Sequence, residues 1–109
     1  MISVKFYKAE NGSIKGFSIE GHANYGDEGG DIVCAAVSMV AQTTALSLQE
    51  LLNISIQLEM DKGNMICFLP DEYERTTDDA QLLLKAMELG LKNIEQGYKG
   101  NIRIIEEGV

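Results

Sequence analysis

The sequence predicts an α/β protein of the α+β kind: a two-layer sandwich in the order β-β-α-β-β-α-β, with about five strands and two helices packed on one face. Three observations lead there. The 109 residues allow one domain, 1–109, and no second unit. Five segments alternate apolar and polar residues and so carry one apolar side each, whereas two longer stretches carry their apolar residues on other spacings. A sheet with a single apolar face needs its helical layer on that face only.

In the first segment Ile2, Val4 and Phe6 share one face and Ser3, Lys5 and Tyr7 the other, as a period of two requires. Asn11-Gly12 supplies a turn, and Ile14 to Glu20 follows as the second strand of a hairpin. Residues 21 to 30 hold four glycines and no apolar period, the mark of a loop. Asp31 is a good N-cap for the Ala-, Val- and Met-rich run to about Leu52, which places Ile32 at the first helical position and Cys34 at the third. Ile54, Ile56, Leu58 and Met60 alternate with polar residues in a third strand. Lys62-Gly63-Asn64 turns it into a fourth, Met65 to Leu69. Thr76 or Thr77 caps a helix with apolar residues at 80, 83, 84, 87, 91 and 94, and Gly97 ends it. Asn101 to Glu106 is the last strand. The first helix is apolar nearly all round, so its outer side is expected to meet the second, with Gly90 permitting close approach. Tyr7, Met65, Cys67 and Leu69 are expected on the sheet's other face.

Composition narrows the function. Hydrophobic residues make up 45% and charged ones 24%, and a chain of this size buries a real core without a metal or disulfide. The net charge of −8 argues against direct nucleic-acid binding, which draws on clustered Lys and Arg. From His22 to Asp79 eleven acidic residues face only Lys62 and Arg75, a net of −9. That run is either a solvated surface or a field that attracts a basic partner. The N-terminus lacks the apolar core of a signal peptide. The uncharged window Ile32 to Gln49 has the length of a minimal membrane span, but its Ser, Thr and Gln residues favour a buried core helix. A cytoplasmic protein without a membrane partner is expected, in which Cys34 and Cys67 stay reduced.

Chemistry concentrates around His22 and Cys34. A cysteine in the first turn of a helix has its thiolate stabilised by the helix dipole and by unpaired amides, and a nearby imidazole can take its proton. The amides of Ile32, Val33 and Cys34 offer an oxyanion site. Asp31 either caps the helix or orients the His22 ring, and Ser38 stands one turn beyond Cys34 on the same face. Cys67 falls in a strand where alternation alone accounts for it. One His and two widely separated Cys do not make a zinc site, so no metal or other cofactor is expected. The glycines at 26, 29 and 30 resemble an anion-binding loop, but no Lys follows and the neighbouring carboxylates would repel phosphate.

Gly21-His22-Ala23, a Gly-containing loop, and then Gly30-Asp31-Ile32-Val33-Cys34-Ala35-Ala36-Val37-Ser38 resemble the signature of the ribosomal-processing cysteine protease family, Prp. The resemblance implies a cytoplasmic, homodimeric endopeptidase that needs no metal and removes an N-terminal extension from a large-subunit ribosomal protein. Its catalytic pair falls on His22 and Cys34, and Asp31 and Ser38 also belong to the motif. It further implies an apolar groove beside an acidic surface. Two rival readings remain at this point: a non-enzymatic ribosome-assembly adaptor that holds a basic ribosomal protein on its acidic face, and a redox-sensing thiol protein.

Overall fold

The computed structural model describes residues 1–21, 30–61, 63–70 and 78–109, with the backbone alone for Asp31 and Asp78. Its elements run β1 (Ile2–Lys8), β2 (Ile14–Glu20), α1 (Gly30–Leu46), β3 (Gln57–Asp61), β4 (Asn64–Phe68), α2 (Asp78–Gly97) and β5 (Ile102–Gly108), the predicted order of a two-layer α+β sandwich. The sheet order is β3-β4-β2-β1-β5. All neighbours are antiparallel except β1 and β5, which pair in parallel from Ile2↔Ile102 to Lys8↔Gly108.

Alternation decides which side of each strand is buried. Val4, Phe6 and Phe17 are fully buried and face Val33, Val37, Ala41, Ala45 and Leu48, one apolar stripe along α1 and its continuation. Ala80, Leu84, Met87 and Leu91 form the matching stripe of α2. Burying such a side chain contributes about 1.5–3 kcal/mol, so these stripes set the register of helices on sheet. The register also corrects one expectation. Phe17 pairs with Cys67 and Ile19 with Met65, which puts Met65 and Cys67 on the helix-covered face, where both are buried. Leu69 is buried as well. Tyr7 does lie on the open face, its ring centroid 4.8 Å from that of Phe68. Beneath Phe68 is Gly16, where a Cβ would stand 2.5 Å from both the Phe68 ring and the Cys67 carbonyl oxygen, so only glycine fits.

α1 starts at Gly30, one residue before the predicted cap, so Asp31 belongs to the first helical turn and Cys34 is the fifth helical residue. Its polar residues are accommodated by back-bonding: Thr44 Oγ1 donates to the Val40 carbonyl at 2.8 Å and Ser47 Oγ to that of Thr43 at 2.7 Å. The helix widens into a π-helical turn over Ser47–Leu51, where the Leu52 amide reaches back to the Ser47 carbonyl. Asn53 then takes φ 55°, the left-handed conformation common after a helix end. The Ile54 amide donates to the Leu48 carbonyl at 3.0 Å, which is why β3 starts at Gln57 although the alternation begins at Ile54.

The outer side of α1 does not meet α2: Ile32, Met39 and Leu46 are 62%, 66% and 55% exposed. Gly90 is not a close-approach site either, since a Cβ there would meet nothing within 4 Å. The window Ile32–Leu51 is long and apolar enough to cross a membrane, and in this fold a third of it is buried against the sheet and α2. The predicted caps Thr76 and Thr77 lie outside the described residues. At the other end of the sheet Lys8 Nζ lies 2.9 Å from Glu88 and 2.7 Å from Glu106, tying α2 to β1 and β5. The hydrogen bond to Glu106 raises the Lys8 ammonium above its usual range and lowers the Glu106 carboxyl.

Candidate active site

The N-terminal half of α1 crosses the sheet where β2 ends and β3 turns into β4. There Cys34, half-buried against the core, and Ser38, one turn later, line a cleft of about 140 Å³ together with Ile2, Ile19, Gly21, Val37 and Gly63. Ile2 and Ile19 close its floor and the two glycines leave its rim without side chains. Gly21 is demanded twice over. Its φ is 91°, and a Cβ would come within 2.5 Å of the Met1 carbonyl oxygen. Its amide donates to Asn64 Oδ1 at 3.3 Å, which fixes the end of β2 beside the start of β4.

The helix start changes what the backbone offers. The unpaired amides of a helix are those of its cap and first three positions, so with α1 beginning at Gly30 the Ile32 amide is still among them. Those of Val33 and Cys34 fall in the register of intrahelical bonding instead, which narrows the oxyanion reading to Ile32.

The two cysteines are sharply different. Cys67 is 1% exposed, and burial pushes its thiol up to about 12, so it is neither ionised nor reachable at neutral pH. Cys34 opens on the cleft near the positive end of α1. The structure thus brings Cys34 and Ser38 together. His22 and the Asp31 side chain lie outside the described residues, although Gly21, the residue before His22, is in the wall of the Cys34 cleft. Sequence reasoning singled out Cys34 and Ser38 from their spacing but missed Gly63, Ile2 and Ile19, which reach the cleft only through sheet pairing. Among the described residues no cluster of His, Cys, Asp and Glu is placed to hold a metal ion.

The family model for cysteine protease Prp matches residues 1–103. The chain belongs to the Prp family. Relatives named ribosomal processing cysteine protease Prp include one from Bacillus subtilis, 30% identical over 107 residues, covering 95% of this chain and 96% of the relative. Another, from Staphylococcus aureus strain Mu50, is 32% identical over 104 residues, covering 95% and 97%. The fold agrees. The S. aureus Prp structure with a substrate peptide superposes with a TM-score of 0.87 at 29% identity, over 98% of this chain and all of that one. The same enzyme with a covalently linked product peptide gives 0.85 at 30% identity, with the same coverage. Prp membership sets aside the adaptor and redox-thiol readings: the chain is a cysteine protease.

Proposed function

We propose that this protease removes the N-terminal extension of a large-subunit ribosomal protein during ribosome maturation, with Cys34 as nucleophile and His22 as its general base. The observation that carries this reading is the position of Cys34, the cysteine that opens on a cleft near the start of a helix. Gly21, the residue that precedes His22 in the sequence, lines the same cleft.

The chemistry follows from these groups. His22 takes the thiol proton, and the Cys34 sulfur attacks the scissile carbonyl carbon. The oxyanion that forms is stabilised by the Ile32 amide, and as the C–N bond breaks the imidazolium gives its proton to the leaving amine. Water, deprotonated by the same imidazole, then cleaves the thioester and regenerates the thiol. Asp31 in the first turn of α1 either orients the ring or adds a favourable carboxylate to the helix N-terminus. Ser38 supports the site from the next turn.

The acidic run from His22 to Asp79 suits a basic ribosomal substrate and disfavours direct nucleic-acid contact. The same reading places the enzyme in the cytoplasm, where its substrate is made, without a membrane partner or cofactor. To test it, the enzyme is incubated with the extended and the naturally short forms of the ribosomal protein. Mass spectrometry is expected to find one defined N-terminal peptide lost from the first and no change in the second. An intact extended form would overturn the assignment.

The protease is also proposed to be a homodimer. Supporting this, Ile32 and Met39 lie seven residues apart on the uncovered side of α1, and Leu82 and Leu89 do so on α2, 67% and 72% exposed. Light scattering after gel filtration is expected to give twice the 12.0 kDa chain mass, and Met39→Lys the single mass. A monomeric wild type, or a dimer untouched by that substitution, would remove this face from the interface.

A further inference from the structure

The two edges of the sheet are treated differently. Along β5 the edge is blunted, since Glu95 of α2 accepts the Ile104 amide at 2.9 Å. β3, at the opposite edge, has no described strand beyond it, and an antiparallel ladder turns the backbone N–H and C=O of every second residue of an edge strand outward. Above this edge lies a crevice of about 110 Å³. Leu58 and Met60 of β3 and Met65 of β4 form one wall, and Gln42, Leu46 and Gln49 the other. Met60 is 53% exposed there.

The crevice adjoins the Cys34 cleft. Ile19 in the cleft floor pairs with Met65, and Met65 pairs with Met60, so one row of side chains across three strands runs from one hollow to the other. On α1, Ser38 and Gln42 are one turn apart. From Cys34 to the stretch Gln42–Leu46 the helix rises by about 12–18 Å at 1.5 Å per residue, which four or five residues of extended chain span. The charge is mainly negative. Among the described residues from 30 to 70 every charged one is acidic, and Glu59 and Asp61 lie on β3 itself. A second copy pairing through β3 would set these carboxylates against their own counterparts, whereas a basic chain meets opposite charge.

We infer that the outer edge of β3 is a substrate-docking strand: an extended, basic segment of the protein substrate, four or five residues from the scissile bond, adds to β3 and seats an apolar side chain against Leu58, Met60 and Met65. The inference rests on Cys34 being the nucleophile, since that residue sets the distance.

The test uses a synthetic peptide with six residues on each side of the cleaved bond, and copies N-methylated at one backbone nitrogen each. Binding is measured by fluorescence anisotropy to the full-length Cys34→Ala protein. Strand addition is expected to give an alternating profile, in which methylation four or five residues from the bond weakens binding about tenfold at every second nitrogen and spares the nitrogen between. In the active enzyme Met60→Lys is expected to raise KM about tenfold with little change in kcat. A flat methylation profile alongside normal cleavage overturns the docking strand alone. Binding with the alternating profile but no cleavage overturns the protease assignment for this substrate, and failure of both overturns both. If Met60→Lys alters the mass in solution rather than KM, the edge joins copies of the chain and the inference falls.

Discussion

Cys34→Ala is expected to lose cleavage by at least about a thousandfold, the usual scale for removing a covalent nucleophile, while its unfolding transition stays near that of the wild type. The small loss of packing is tolerable because Cys34 is only half-buried. His22→Ala should fall to a similar level, because without a proton acceptor the thiolate is scarce and the leaving amine is not protonated. Cys67 supplies the control within the same chain. It is 1% exposed with a thiol pushed up to about 12, so Cys67→Ala should cut at the wild-type rate and lose only about 1 kcal/mol of stability to the small cavity it leaves. Iodoacetamide separates the two without mutation: mass spectrometry after brief treatment of the native protein should find one adduct, on Cys34, with activity lost in proportion. Residual cleavage by Cys34→Ala near the wild-type rate, or inactivation by Cys67→Ala, would overturn the assignment.

What could be read from the sequence was what depends on local period. β1 and β2 show an uninterrupted alternation, α2 shows apolar residues at helical spacing, and the fold has strands and a helix at these places. Alternation predicts that β3 begins at Ile54, because Ile54 and Ile56 continue it. The Leu48 carbonyl takes the Ile54 amide, and no local pattern announces a π-helical turn that needs one. Alternation likewise separates Cys67 from Ile66 and Phe68 but does not say which set faces the helices; the pairing Phe17↔Cys67 decides that. The same division holds at the site. Cys34 and Ser38 are related by helix geometry and were visible as a pair, whereas Ile2, Ile19 and Gly63 come from three separate segments and meet only in the folded sheet.

Gln81 is the clearest residue hidden from sequence reasoning, and Gln81→Leu is expected to cost about 2–4 kcal/mol of folding stability. It stands among the apolar positions of α2 as one polar residue that patterning would send to solvent, yet it is 8% exposed. Its Oε1 accepts the Ile14 amide at 2.7 Å and its Nε2 donates to the Ile14 carbonyl at 2.9 Å, so one side chain satisfies both backbone groups of a fully buried residue. Ile14 needs this because its pair with Lys8 is a non-hydrogen-bonded one, which turns both groups away from β1, and β4 pairs with β2 only over Gly16–Ile19. Leucine fills much of the same space but leaves both groups buried without a partner, at about 1–3 kcal/mol each. Gln81→Glu keeps an acceptor for the amide but brings a carboxylate against the carbonyl, so it should also destabilise. In urea the midpoint of Gln81→Leu should fall with little change in slope, and Cys34 should still be alkylated in the native protein, because the loss lies at the α2–β2 contact and not in the cleft. A midpoint equal to that of the wild type would mean that water takes over both Ile14 groups and that Gln81 does not hold α2 to the sheet.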